Sequence, residues 1–67
     1  MKYHFDDALF IHIFQAESQE ELSAIKTWCR QNLGRSHGMQ SVWWMQSRSV
    51  LVMRNGQHIV QAILTWS

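Results

Sequence analysis

The chain has 67 residues, of which 46% are hydrophobic and 16% charged, with four Trp, four Met and one Cys. This length supports one small domain with a marginal core, and a single cysteine excludes an intramolecular disulfide. The charged fraction lies below the ~25% of ordinary domains, and Trp and Met are enriched at protein interfaces. We therefore expect a domain that gains stability by association with itself or another chain.

The N-terminal segment MKYHFDDALFIHIFQA is not a convincing signal peptide, because aspartates and histidines flank or interrupt its apolar run. No small-residue cleavage motif follows it, and no run approaches the ~18 apolar residues of a membrane span. A lone cysteine suits a reducing compartment. The sequence thus predicts a cytoplasmic protein that does not contact a membrane.

Charge is distributed unevenly along the chain. The five acids all lie in the first 21 residues: Asp6, Asp7, Glu17, Glu20 and Glu21. Residues 22–67 contain no acid and carry Lys26, Arg30, Arg35, His37, Arg48, Arg54 and His58. Such asymmetry is typical of proteins that bind an acidic partner or nucleic acid, although a small domain can also acquire it by chance. The predicted basic edge consists of Arg30, Arg35, His37, Arg48 and Arg54.

The first half of the chain predicts one strand and one helix. Residues 8–15 are apolar on both alternating faces, which is typical of a buried strand, and Asp6 and Asp7 before them favour a turn. Residues 18–34 predict a helix with Ser18 as N-cap, Glu21 completing a capping box and Gly34 as the C-terminal stop.

The second half of the chain predicts a loop at 34–38 and three strands, at roughly 39–46, 49–54 and 57–66. Asn55-Gly56 is the preferred pair for a type I′ hairpin turn. The expected fold is therefore α+β, with the order β-α-β-β-β: a single helix packs on one face of a mostly antiparallel four-stranded sheet.

The predicted turns assign the strand residues to two faces of the sheet. With an even-length turn at 46–49, Trp44 shares a face with Leu51 and Met53, which we assign to the helix. The opposite face then has an apolar centre of Trp43, Met45, Val50, Val52, Ile59 and Ile63. A three-residue turn would exchange the roles of Trp43 and Trp44, since a one-residue slip flips every side chain.

A single helix covers only one face, so the second face would expose more apolar surface than soluble monomers usually tolerate. We predict that these six residues form an interface, through which two copies associate or a different protein binds. The alternative is that Trp43 is only a half-exposed aromatic lying flat on the sheet.

Sequence motifs for catalysis, metal binding or phosphate binding are weak in this chain. His4, His12, His37 and His58 lack metal-ligand spacing. Cys29 lies on the buried stripe of the predicted helix, and His12 fits a hydrogen-bonded histidine in a packed strand. The segment GRSHG lacks the strand-to-helix context of a phosphate-binding loop. We expect no catalytic residues, no cofactor and no metal.

These patterns together predict a small non-enzymatic interaction protein of the inhibitor or adaptor type, a format that phages and mobile elements encode. The expected partners are a second copy of the chain and an acidic protein that contacts the basic edge. The alternative is a single-stranded nucleic-acid-binding module that uses Trp43 together with Arg48 and Arg54, because aromatics on an open sheet stack bases.

Overall fold

The computed structural model describes residues 1–36 and 41–66. The predicted fold class is confirmed: a long helix packs on one face of a four-stranded antiparallel sheet, in an α+β arrangement. The sheet order is β1-β2-β4-β3. The elements in chain order are β1 (Lys2–Asp6), β2 (Ile11–Gln15), α1 (Gln19–Leu33), β3 (Trp43–Met45), β4 (Val50–Arg54) and α2 (His58–Trp66).

Helix α1 forms where the capping signals predict it. The Ser18 hydroxyl accepts a hydrogen bond from the Glu21 amide at 3.1 Å, which satisfies one of the free N–H groups of the first turn. The Glu21 carboxylate accepts from the Glu17 amide, also at 3.1 Å. At the other end Gly34 adopts φ 87, which favours glycine because it has no Cβ. Leu22, Ile25 and Cys29 are its buried residues.

The C-terminal segment is a helix, so the predicted strand at 57–66 is wrong. Asn55-Gly56 joins β4 to α2 instead of making a hairpin, and the Ile59 amide donates to the Gly56 carbonyl at 3.2 Å. The β-branched residues of this segment favoured a strand, yet the apolar residues also recur at helical spacing. They are Ile59, Ala62, Ile63 and Trp66, which enter or border the core.

The fourth strand lies at the N-terminus, and the predicted strand at 8–15 is shorter than expected. β1 pairs with β2 from Lys2↔Gln15 to Asp6↔Ile11. The predicted turn at the two aspartates is confirmed, because Asp6 Oδ1 accepts from the Ala8 and Leu9 amides at 3.0 and 3.3 Å. Phe10 closes the turn with φ 54, a left-handed conformation that is strained for a non-glycine residue.

The β3–β4 hairpin corrects the predicted register by one residue. Trp43 pairs with Met53, Trp44 with Val52 and Met45 with Leu51. The Gln46 amide donates to the Val50 carbonyl at 2.9 Å, so a three-residue turn spans positions 47–49. The turn length therefore exchanges the two indoles relative to the even-length prediction, and Trp43 rather than Trp44 faces the helices. The predicted strand at 39–46 begins outside the described residues.

Both helices contribute to one hydrophobic core on one face of the sheet. The cluster of buried residues comprises Phe14, Ala16, Leu22, Ile25, Cys29, Trp43, Leu51, Met53, Ile59 and Ala62. Trp43 is 2% exposed and donates its indole N–H to the Gly34 carbonyl at 2.9 Å. This contact fixes the C-terminal end of α1 to β3. Among the described residues, neither helix combines the length and the hydropathy that a membrane-spanning segment needs.

Candidate functional site

The register defines a sheet face opposite the helices, outside the core cluster. Three rungs cross it: Lys2, Gln15 and Val50; then His4, Ile13, Val52 and Trp44; then Asp6, Ile11 and Arg54. We call these ten residues the open face. Within the described chain, none of them belongs to the cluster that the helix residues form. The helices therefore leave this side of the sheet uncovered.

The centre of the open face is apolar. Val52 is 0% exposed although it lies outside the main core, and its neighbours in the rung are Ile13 and Trp44. Ile11, Ile13, Trp44 and Val50 are half-buried. These half-buried side chains thus shield Val52 on β4 but keep part of their own apolar surface in contact with solvent.

Trp44 and Arg54 form a fixed pair at one side of the open face. The Arg54 guanidinium lies 5.2 Å from the centroid of the Trp44 ring, within range of a cation–π interaction. Arg54 Nε also donates to the Ser41 carbonyl at 2.9 Å. The guanidinium is therefore held over the indole, so a planar cation and an aromatic ring are presented together.

Charged residues are placed at the edge strand of the open face. On β1, Lys2 and Asp6 lie at opposite ends with His4 between them, and all three point to the same side. Lys2 and His4 are exposed, and the Asp6 carboxylate caps the β1–β2 turn. This edge therefore has one cationic end and one anionic end.

The structure does not bring the predicted interface residues onto one sheet face. Trp43 and Met45 lie on the covered face, because their register partners are Met53 and Leu51. Val50 and Val52 lie on the open face as predicted. Ile59 and Ile63 are on helix α2, where Ile59 is buried in the core and Ile63 packs against it. The predicted interface omitted Ile11 and Ile13, and it included Trp44 only in the alternative with a three-residue turn.

The residues of the predicted basic edge are also separated. Arg48 lies in the β3–β4 turn, near the first half of α1, whereas Arg35 follows the end of that 15-residue helix. A helix of this length spans about 22 Å. Arg30 is exposed in the last turn of α1, and Arg54 lies on the open face. His37 falls outside the described residues.

His12 is buried and hydrogen-bonded, as expected. Its Nε2 lies 3.0 Å from Asn55 Oδ1, and its Nδ1 lies 2.6 Å from the Tyr3 hydroxyl. Because Asn55 Oδ1 can only accept, Nε2 carries the proton in the neutral ring and the Tyr3 hydroxyl donates to Nδ1. His12 thus joins Tyr3 on β1 to Asn55 in the β4–α2 connection, and both of its ring nitrogens are occupied. In residues 1–36 and 41–66, no three His, Cys, Asp or Glu side chains are grouped to hold a metal ion.

Cys29 lies in the core, and burial raises the pKa of its thiol to about 12 from the ordinary 9.0. Because the unfolded thiol ionises at lower pH than the folded one, we expect the contribution of Cys29 to the free energy of unfolding to be constant well below pH 9 and to fall as pH rises from 9 towards 12. The slope is up to about 1.4 kcal/mol per pH unit. Urea unfolding of the wild type and of Cys29→Ala across this pH range measures the slope. The difference between the two proteins isolates the Cys29 thiol, because Tyr and Lys titrate in both. Identical pH slopes in the two proteins would contradict the raised pKa of the Cys29 thiol.

No protein-family model matches the chain, and no match was found among curated proteins or among solved structures.

Proposed function

We propose that this chain is a small non-enzymatic interaction protein of the inhibitor or adaptor type, which forms a homodimer through its open face. The observation that carries the proposal is the apolar centre of that face, where Trp44, Ile11, Ile13 and Val50 keep part of their surface in contact with solvent. The proposal assigns no chemistry to Cys29, whose thiol pKa is raised, or to His12, whose ring nitrogens are engaged. The lone buried cysteine suits a cytoplasmic protein.

Self-association is favoured because the opposite charges at the two ends of β1, Lys2 and Asp6, can pair between two copies. Consider a two-fold axis midway between two facing sheets. It is parallel to both sheets and perpendicular to their strands, and it runs along the rung of His4, Ile13 and Trp44. This axis places each Lys2 over Asp6 of the second copy, and it stacks the two apolar centres. Such an isologous contact closes at two copies.

The size of the face sets the expected affinity. Four strands about 4.8 Å apart, with five residues rising about 3.3 Å each, give a face of roughly 19 by 17 Å. An interface with that footprint, about 320 Å² on each copy, is smaller than the ~1,200 Å² in total of most specific protein–protein contacts and is typical of weak, transient association. A weak dimer, with a dissociation constant in the micromolar range (about 8 kcal/mol of binding free energy at 1 µM), is therefore expected.

Light scattering during size exclusion tests the homodimer. We expect the mass of the wild type to rise from monomer to dimer as the concentration increases from about 5 to about 500 µM. Trp44→Ser should remain a monomer and still show a folded circular dichroism spectrum. Leu64→Ser is the matched control, because Leu64 is 76% exposed on α2 and away from the open face. A wild type that stays monomeric, or equal effects of the two substitutions, would contradict the proposal.

A second candidate function is supported by the Trp44–Arg54 pair. An indole beside a guanidinium on an uncovered sheet can stack a base and contact a phosphate. This differs from the expectation based on Trp43, which is buried. Against it, the centre of the open face is aliphatic, and Trp44 is the single Trp, Tyr or Phe among the ten residues that define it.

A labelled oligothymidine separates the two functions. A nucleic-acid binder should raise the anisotropy of the label, and the affinity should fall steeply with salt because counterions are released. Trp44→Ser and Arg54→Gln should both abolish this binding. If the homodimer is the function of the open face, the label should not respond at physiological salt.

A further inference from the structure

A groove separate from the open face lies between helix α1 and the β3–β4 turn. Its volume is about 500 Å³, and it is open to solvent. Gln19, Leu22 and Lys26 line one side, and Met45, Ser47 and Arg48 line the other. The helix residues fall on one side of α1 because their spacing of three and four matches the helical repeat. Met45 belongs to the covered face of the sheet, so a ligand can occupy the groove while the open face is engaged.

The floor of the groove is apolar and its walls are cationic. Leu22 is buried and Met45 is half-buried, and both form the floor; methionine adapts its shape to different apolar ligands. Lys26 and Arg48 stand on opposite walls. Gln19 and Ser47 add polar groups that can donate hydrogen bonds. The six lining residues include no carboxylate.

Two of the three acids at the start of α1 contact the N-terminus, and the third, Glu20, is exposed and outside the groove lining. The amino group of Met1 lies 3.2 Å from Glu21 Oε1 and 3.8 Å from Glu17 Oε1, so both carboxylates neutralise the N-terminus. Among the residues that the structure describes, no ion pair of Lys26 or Arg48 is formed. Two cations that flank an apolar floor without an internal counter-charge are complementary to a ligand that carries negative charge on both sides of an apolar group.

We propose that this groove binds a short acidic segment of a partner protein, with one aliphatic side chain on Leu22 and Met45 and flanking carboxylates at Lys26 and Arg48. The volume lies within the range of sites that bind small ligands or single side chains. Nucleic acid fits less well, because the lining contains no aromatic residue for base stacking. This inference deepens the adaptor role proposed above by naming the partner's chemistry, but it does not depend on the dimer.

Fluorescence anisotropy with a labelled Glu-Asp-Leu-Asp-Glu peptide tests the site. We expect saturable binding to the wild type and no binding of Lys-Lys-Leu-Lys-Lys. Lys26→Glu and Arg48→Glu should each weaken binding at least about tenfold, or about 1.4 kcal/mol. Arg35→Glu is the matched control: it changes net charge equally but lies outside the groove, so affinity should change less than about twofold. Equal losses in all three variants would overturn the proposal, because they would indicate only a net-charge effect.

Trp44→Ser distinguishes this inference from the function of the open face. We expect the Trp44→Ser monomer to bind the acidic peptide with wild-type affinity, and amide shifts caused by the peptide to map to Leu22, Met45 and Ser47. Loss of peptide binding in Trp44→Ser would place the peptide on the open face and overturn the groove. Self-association that survives Trp44→Ser but is lost in Arg48→Glu would assign the groove to a second copy, which would also overturn the proposal.

Discussion

Trp43→Ala is expected to lower the free energy of unfolding by about 3–5 kcal/mol, whereas Trp44→Ala should lower it by about 1 kcal/mol in the monomer. Trp43 is 2% exposed and its indole N–H reaches the Gly34 carbonyl, so its removal leaves a cavity and an unpaired carbonyl. Trp44 is half-buried on the open face. A loss of that size approaches the total stability of many small domains.

Urea unfolding at low protein concentration measures this difference, because dimerisation then contributes little to the apparent stability. Trp43→Phe is the matched control, since it retains most of the packing and loses the N–H donor. It should fall between wild type and Trp43→Ala. If Trp44→Ala is the more damaging substitution, then β3 has the opposite register and the open face would be composed differently.

His12→Ala is expected to destabilise the monomer by about 2–4 kcal/mol. Removing the buried imidazole takes away the partner that the half-buried Tyr3 hydroxyl and the exposed Asn55 Oδ1 share, and it leaves a cavity beside the core. It also removes the ring that lies 4.7 Å from Phe5, centroid to centroid. Tyr3 on β1 would then lose its link to the connection between β4 and α2.

His4→Ala is the control for this prediction, because His4 lies on the neighbouring strand but is exposed on the open face. Its effect on the stability of the monomer should stay within about 0.5 kcal/mol. Tyr3→Phe combined with His12→Ala should cost less than the sum of the two single substitutions, since both remove the same hydrogen bond. Equal losses for the two histidines would contradict the buried network.

The helix α1 and the strand β4 could be predicted from sequence because their signals are local. Ser18 and Gly34 mark the two ends of α1 with capping chemistry, and Val50–Arg54 is a short apolar run beside a turn. The C-terminal helix could not be separated from a strand in the same way. Ile59, Ala62, Ile63 and Trp66 fit the helical repeat, but the segment also alternates and is rich in β-branched residues.

The existence of an uncovered face, and the presence of Val50 and Val52 on it, could be predicted from sequence, but its other residues could not. The choice between Trp43 and Trp44 depends on whether the turn at 47–49 contains an odd or even number of residues, and no Gly or Asn at those positions indicates a turn type. The N-terminal strand carries only the Tyr3 and Phe5 alternation as its signal. The groove at Lys26 and Arg48 depends on tertiary contact between α1 and that turn, which no local pattern encodes.

Intermolecular nuclear Overhauser effects in a mixture of labelled and unlabelled chains test the central claim most directly, because they report which protons of two copies lie close together. At concentrations where the dimer forms, we predict contacts between the Trp44 rings of the two copies and between their Ile13 methyl groups, because the axis runs along the rung that contains both residues. Contacts confined to Leu9, Phe10, Val60 or Leu64, or no intermolecular contacts at all, would contradict the assignment of the open face as the surface through which two copies associate.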